Sequence, residues 1–139
     1  MPTSKTIIFY LFLGFLLGSC SSAEPPIDLL PSTGILGKWE IQNRSINGIE
    51  PLIVVCCEFI EFVADENLDD LTGDYSWSAG QFTGNGSFTL TEDLQGIILT
   101  DKNDIDSFTI MISPTQDAFE LSYSDSQDAI VRELWGKSE

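Results

Sequence analysis

Apolar and polar side chains alternate with a period of two along the last third of the chain. Residues 108–113 place Phe, Ile and Ile between Thr, Met and Ser, and residues 119–124 place Phe, Leu and Tyr between Glu, Ser and Ser. Successive side chains of a β-strand point to opposite faces, so this alternation puts one set inside and the other in water. Residues 115–117 then form a short connection, and the pattern predicts a β-hairpin.

Similar segments recur from residue 36 onward, separated by Asn, Asp and Gly, and they are rich in the β-branched and aromatic residues typical of strands. We expect eight strands, at residues 36–46, 52–63, 75–79, 86–91, 96–100, 108–113, 119–124 and 129–136. Closing consecutive strands into a barrel removes exposed strand edges. The expected fold is all-β, a small eight-stranded up-and-down antiparallel β-barrel, with a two-sheet β-sandwich as the alternative.

The N-terminal segment has a different pattern. Lys5 precedes an apolar run at residues 7–17, which is followed by small residues. This order is typical of a secretory signal peptide, and the run is too short to cross a bilayer, which takes about 20 apolar residues. Leu-Gly-Ser-Cys at residues 17–20 resembles the lipobox of bacterial lipoproteins. The resemblance implies cleavage before Cys20 and a diacylglycerol on its thiol, with acylation of the new amine.

This resemblance predicts that the chain is divided into three parts. Residues 1–19 are the expected signal peptide, residues 20–33 the lipidated cysteine with a flexible tether, and residues 34–139 one folded domain. Several acyl chains attach a protein stably to a membrane. Ser21, in place of Asp, resembles lipoproteins sent to the outer membrane. We therefore expect the cell envelope as the location and the membrane as a partner, with the membrane face left open.

Charge and composition exclude several functions. The chain has 22 acidic and 6 basic residues, and its formal net charge of −16 repels nucleic acid and anionic headgroups. There is no histidine, which is the usual general base and the commonest metal ligand. We therefore expect no enzyme, cofactor, metal or nucleic-acid partner. The acidity favours solubility near a membrane, and a cationic or metal-bearing partner is the alternative.

The remaining cysteines and two acidic loops have ordinary interpretations. Cys56 and Cys57 are adjacent on a predicted strand, where their side chains would point to opposite faces and a disulfide would be strained. We expect small packing residues, with redox or intermolecular pairing as the alternative. The acidic stretches at residues 65–74 and 101–106 are expected to be solvated turns, since neither has EF-hand spacing; a weak calcium site is the alternative.

Gly37-Lys38-Trp39, at the start of the first predicted strand, resembles the G-x-W signature that opens lipocalins. With the lipobox and eight strand segments, residues 35–137 are similar to the short lipocalin-like lipoproteins of Gram-negative bacteria. The resemblance implies a barrel-closing motif in which Gly37 gives room, Trp39 plugs one end and an arginine packs over the Trp ring. Arg132 is expected in that role, with Lys137 as the alternative.

The lumen of an eight-stranded barrel is just wide enough to be filled by side chains or to hold one small ligand. The expected inward-facing apolar residues, which could fill the lumen or bind a ligand, are Phe62, Phe88, Phe108, Ile110, Phe119 and Leu121. Glu58 shares the strand face of Ile60, and a buried carboxylate needs a partner. Arg44 or Arg132 could pair with Glu58, or Glu58 could hold a ligand head group.

Two functions are therefore expected, in order. The first is a membrane-anchored lipocalin-like lipoprotein that binds a small apolar ligand in or at the barrel. The alternative is a cell-envelope interaction module whose barrel is filled and whose loops dock a protein or a glycan. Both functions use the membrane attachment at Cys20.

Overall fold

The computed structural model describes residues 28–50, 57–101, 104–113 and 115–139. One short helix, α1 (Leu29–Ser32), precedes eight strands in this part of the chain. The strands are β1 (Gly37–Ile46), β2 (Glu58–Ala64), β3 (Thr72–Ala79), β4 (Phe82–Leu90), β5 (Gly96–Thr100), β6 (Ile105–Ile112), β7 (Ala118–Ser124) and β8 (Ile130–Lys137). No helix in these ranges is both long enough and apolar enough to cross a bilayer.

Each strand pairs in antiparallel fashion with the next, and β8 pairs with β1, so the sheet closes into a barrel. The expected all-β class and the up-and-down barrel of eight strands are confirmed, and the β-sandwich alternative is wrong. The barrel therefore has two ends. One holds the start of β1 and the end of β8, and we call it the closed end; we call the opposite end the mouth.

The second strand begins later than the sequence pattern predicts. It starts at Glu58 rather than at residue 52, and residues 51–56, with Cys56, lie outside the described part of the chain. Cys57 is exposed and has a φ of 66°, which a residue inside a strand does not adopt. The expectation that Cys57 is a buried packing residue is therefore wrong.

Helix α1 seals the closed end of the barrel. Leu30 and Ile35 are completely buried there, together with Trp39. The indole Nε1 of Trp39 donates a hydrogen bond to the carbonyl oxygen of Ile35 at 2.8 Å, so the buried polar atom of the ring is satisfied. The last residues of the predicted tether, from Asp28 to Thr33, thus belong to the folded domain.

Aromatic side chains fill the half of the lumen next to this seal. The rings of Trp39 and Phe119 meet edge to face with centroids 4.9 Å apart, and those of Phe62 and Phe88 do so at 5.0 Å. Phe119 also lies 6.1 Å from Phe62, which joins the two pairs into one cluster. Such edge-to-face pairs add to the stabilisation from apolar burial. This half of the barrel is a packed core.

The cation over the Trp39 ring comes from Lys137. Its Nζ lies 5.2 Å from the ring centroid, and its Cε would touch a Cβ at Gly37, whose φ is 121°. Arg132 is exposed on the outer face of β8, where it lies opposite Ser45 of β1. It is five residues from Lys137 along β8, which places it ~16 Å nearer the mouth. The expectation that Arg132 packs over the Trp39 ring is therefore wrong, and the alternative, Lys137, occupies that position.

A β-bulge in β1 changes which residues face the lumen. The pairing with β8 shifts between Ile41 and Asn43, so Gln42 is an extra residue on β1. Trp39 and Ile41 face inward before the bulge, and strict alternation would then put Asn43 inside. The extra residue instead turns Arg44 inward, directly opposite Glu133 of β8.

We expect the seal at the closed end to depend on Leu30 and not on its neighbour. Leu30→Ala should lower the free energy of unfolding by about 2–4 kcal/mol, because it leaves a cavity in the buried core to which Leu30 and Trp39 belong. Leu29 is 44% exposed while Leu30 is 0% exposed, so Leu29→Ala is the matched control, with an expected loss below about 1 kcal/mol. Urea unfolding of residues 23–139, followed by tryptophan fluorescence, measures both. Equal losses would show that α1 does not seal the barrel.

Candidate ligand site at the barrel mouth

A cavity of about 340 Å³ occupies the mouth half of the barrel. It is formed where β1, β3, β5 and β7 end and where β2, β6 and β8 begin. Trp135 forms its floor, since this ring lies parallel to that of Phe119 with centroids 6.0 Å apart. The volume lies at the small end of the range for ligand pockets. The barrel is therefore filled in one half and open in the other.

Arg44 holds two carboxylates together in this cavity. Its Nη2 and Nη1 donate to Glu58 Oε2 at 2.7 Å and Oε1 at 3.3 Å. Its Nε and Nη2 both approach Glu133 Oε1 at 2.8 Å. Burial by itself lowers the pKa of the guanidinium, but the hydrogen bond to Glu58 and the charge of Glu133 outweigh it and raise that pKa overall. Arg44 is therefore a fixed cation.

Glu133 is the most buried charged group of the cavity, with 6% of its surface exposed. Besides Arg44, the phenol of Tyr123 donates to its Oε1 at 3.0 Å, and the indole of Trp135 donates to its Oε2 at 3.3 Å. Both carboxylate oxygens are thus bonded, which is what a buried charge requires. Glu133 organises the wall of the cavity and orients two of its aromatic rings.

Two glycines on β4 make room for the other aromatic rings. A Cβ at Gly86 would lie 2.9 Å from Cε1 of Tyr75, and one at Gly84 would lie 2.3 Å from Nε1 of Trp77. The rings of Tyr75 and Trp77 therefore cover bare backbone of the neighbouring strand, an arrangement known to pin strand register. Across the cavity, the ring of Phe108 meets that of Tyr123 edge to face at 5.1 Å.

Three aspartates line the outer part of the cavity, at the end of β5 and the start of β6. The amide of Asp104 donates to the Asp101 carboxylate at 2.8 Å, which shapes the loop, and Asp106 follows on β6 with its side chain exposed. Lys102 in the same loop lies outside the described residues. Among the described lining residues, five are carboxylates and Arg44 is the one cation. The mouth is therefore anionic.

The environment of the cavity also raises the pKa values of its two tyrosines, Tyr75 and Tyr123. Burial raises the pKa of Tyr75, and the nearby charges of Asp101 and Asp106 raise it further. Burial raises the pKa of Tyr123 more strongly, together with the charge of Glu133 and the hydrogen bond to it. Both phenols are therefore neutral hydrogen-bonding groups at physiological pH.

The residues expected to bind a ligand divide into two groups. Glu58, Phe108 and Leu121 line the cavity, and Glu58 is paired with Arg44. The other four are buried in the packed half of the barrel instead, namely Phe62, Phe88, Ile110 and Phe119. Cys20 lies outside the described residues.

Sequence reasoning missed Glu133, Tyr123 and Trp135 as members of the site. Glu133 lies between Val131 and Trp135 on one face of β8. The signal that could have found it is this alternation, which places an acid among inward-facing apolar residues.

The first acidic loop bonds mainly to itself. The carboxylate of Asp65 accepts from the amide of Asn67 at 2.7 Å, and that of Asp70 accepts from the amide of Thr72 at 3.0 Å. These hydrogen bonds are those of ordinary Asx turns. Within the described residues, no group of three or more acidic or cysteine side chains is arranged to hold a metal ion.

Comparison with known proteins supports the fold. No family model matches the chain, and no curated protein matches it. Among solved structures, a redesigned β-barrel has a TM-score of 0.51 and 11% sequence identity, and the match covers 79% of this chain and 96% of that one. At this identity the likeness concerns the barrel fold alone.

We expect the ion pairs of Arg44 to stabilise the fold. Arg44→Gln leaves Glu58 and the buried Glu133 without their cation, and it should lower the free energy of unfolding by about 3–5 kcal/mol. Arg132→Gln is the control, because Arg132 is exposed on the adjacent strand, and it should change stability by at most about 0.5 kcal/mol. Urea denaturation measures both. Similar small effects would mean that the network contributes nothing.

We also expect both tyrosines of residues 23–139, Tyr75 and Tyr123, to resist ionisation while folded. Their folded pKa values are raised, so their contribution to stability is full below the ordinary value of about 10 and is lost as pH rises above it. Absorbance at about 295 nm detects tyrosinate and circular dichroism detects unfolding, and the two should change together. Formation of tyrosinate at a pH near the ordinary tyrosine pKa of about 10, while circular dichroism shows a folded barrel, would contradict this expectation.

Proposed function

We propose that this chain is a lipid-anchored lipoprotein of the bacterial cell envelope, lipocalin-like, whose barrel binds a small ligand in its mouth. The observation that carries the proposal is the cavity of about 340 Å³, which combines aromatic walls with a few fixed polar groups. This combination is typical of small-molecule sites, in which apolar surface supplies affinity and polar groups set orientation. The packed half of the barrel restricts the ligand to the mouth.

The position of the N-terminal segment supports the anchored arrangement. The described chain begins at Asp28 beside α1, at the closed end. Cys20, the proposed lipid-bearing residue, is eight residues earlier, so the lipid lies within roughly 28 Å of the seal. The mouth is at the opposite end of the barrel. A ligand would therefore enter from the side away from the attachment point.

The lipocalin-like assignment is supported by the closed end. Trp39 is buried there, Gly37 lies beside Lys137, and the Lys137 ammonium lies over the Trp39 ring. A non-catalytic role agrees with the absence of histidine from the sequence. The outer membrane is the proposed location, on the basis of Ser21 after Cys20.

One observation favours a second candidate function, an envelope docking module. Several large apolar side chains are exposed around the mouth, including Ile49 at 73%, Ile105 at 70% and Phe82 at 64%. Large apolar side chains exposed at one end of a fold are a feature of surfaces that contact other molecules. A protein or glycan partner would then cover the mouth rather than enter it.

Intact mass spectrometry should detect both the anchor and the ligand. The denatured full chain, extracted from the envelope, should begin at Cys20 and carry a diacylglycerol with a further acyl chain. Residues 23–139, exported to the same compartment, should show under native conditions an added mass on the order of a few hundred daltons that is lost on denaturation. An unmodified Cys20 would overturn the anchor.

A pair of variants tests whether the retained molecule occupies the mouth. Ala79 lines the cavity, so Ala79→Phe should reduce retention, whereas Ser76, exposed on the same strand, gives the control Ser76→Phe. Circular dichroism checks that both variants fold. A bare chain that also takes up no apolar dye would overturn the ligand-binding function and leave the docking module.

A further inference from the structure

The charge of the mouth cavity restricts what it can bind. Glu58 and Glu133 share the single guanidinium of Arg44, so this inner group alone has one more negative than positive charge. Asp101, Asp104 and Asp106 add carboxylates farther out. Because Glu58 and Glu133 lie in the partly buried interior, where the effective dielectric constant is lower than in water, their charges act more strongly on a bound molecule than those of the three exposed aspartates do.

Arg44 cannot serve as a binding group for an anionic ligand. Its Nε and both of its terminal nitrogens donate to Glu58 and Glu133. A carboxylate or phosphate ligand would have to break one of these ion pairs and would then face the remaining acids. The cavity therefore selects against fatty acids and other anions.

The same cavity offers several surfaces on which a cation is stabilised. Tyr75, Phe108, Tyr123 and Trp135 line it, and electron-rich aromatic rings attract organic cations. Leu121 supplies aliphatic surface for an apolar body. An amine with an apolar chain or ring would thus match both the walls and the charge.

We infer that the mouth cavity binds a small organic cation, an amine with an apolar body whose charged group lies toward Asp104 and Asp106. The inference rests on the proposed ligand-binding function and names the chemical class of the ligand. The apolar body packs on the Trp135 floor and beside the Phe108 ring, and the charged group stays near the opening. A neutral or anionic molecule of equal size would have the apolar contacts but not the attraction to the carboxylates.

Three probes of similar size and shape test this assignment: phenylbutylamine, phenylbutanol and phenylbutyrate. Isothermal titration calorimetry with residues 23–139 at neutral pH should show the amine binding at least about tenfold more tightly than the alcohol, and the acid binding most weakly. Added salt should weaken amine binding and leave alcohol binding unchanged, because salt screens charges.

A pair of double variants separates local from overall charge. Asp104→Asn with Asp106→Asn should weaken amine binding by about fivefold or more and leave alcohol binding within about twofold. Glu66→Gln with Glu92→Gln removes two exposed acids at the closed end and should leave both affinities within about twofold. Equal weakening by the two double variants would mean that the overall negative charge of the protein attracts the amine, and this would overturn the inference.

Other outcomes distinguish this inference from the proposed function. If the alcohol binds as tightly as the amine, the cationic class is wrong while the mouth remains a ligand site. Tighter binding of phenylbutyrate would lead to the same conclusion. If none of the three probes binds, the cation inference is overturned, and the native mass measurement decides separately whether the barrel holds any ligand.

Discussion

The β-bulge at Gln42 is the constraint on which the two halves of this barrel depend. Before it, Trp39 and Ile41 face inward and pack into the apolar half; after it, Arg44 faces inward and meets Glu133 across the β1–β8 pairing. Without the extra residue, Arg44 would point outward and Glu133 would be buried without a cation, which is strongly unfavourable. The irregularity lies in the pair of strands that closes the barrel, so the register of this closing pair also determines which residue of β1 faces Glu133 in the mouth.

This division explains why the lumen is neither wholly packed nor wholly open. Large rings seal and fill the closed half, where Phe62, Phe88 and Phe119 contact one another. In the mouth half, β4 turns Gly84 and Gly86 inward, and rings from β3 cover their backbone without filling the centre. Charged groups can occupy the remaining space because each is paired or near water. Packing therefore determines the location of the site, and the paired charges determine its chemistry.

The period-two pattern was enough to predict most of the fold, because alternation, turn residues and the number of strand segments can be read locally from a sequence. The inward positions of Phe108 and Leu121 followed from it directly. The bulge did not, because one inserted residue leaves no trace in composition, and its consequence is a contact between Arg44 and Glu133, which are 89 residues apart. The choice between Arg132 and Lys137 failed for a related reason: both lie near the C-terminus, but only the pairing register with Trp39 shows which one reaches the ring.

The sealed end of the barrel also separates the proposed membrane attachment from the proposed ligand site. With the proposed lipid on Cys20, the acyl chains would approach the barrel from the side of Leu30, Ile35 and Trp39, which are completely buried and close that end. An acyl chain entering there would have to displace these side chains and break the hydrogen bond from Trp39 to Ile35. The mouth, with its carboxylates, is equally unsuited to an anionic lipid. The same two ends thus separate the group that would hold the protein at the membrane from the cavity that would bind a ligand.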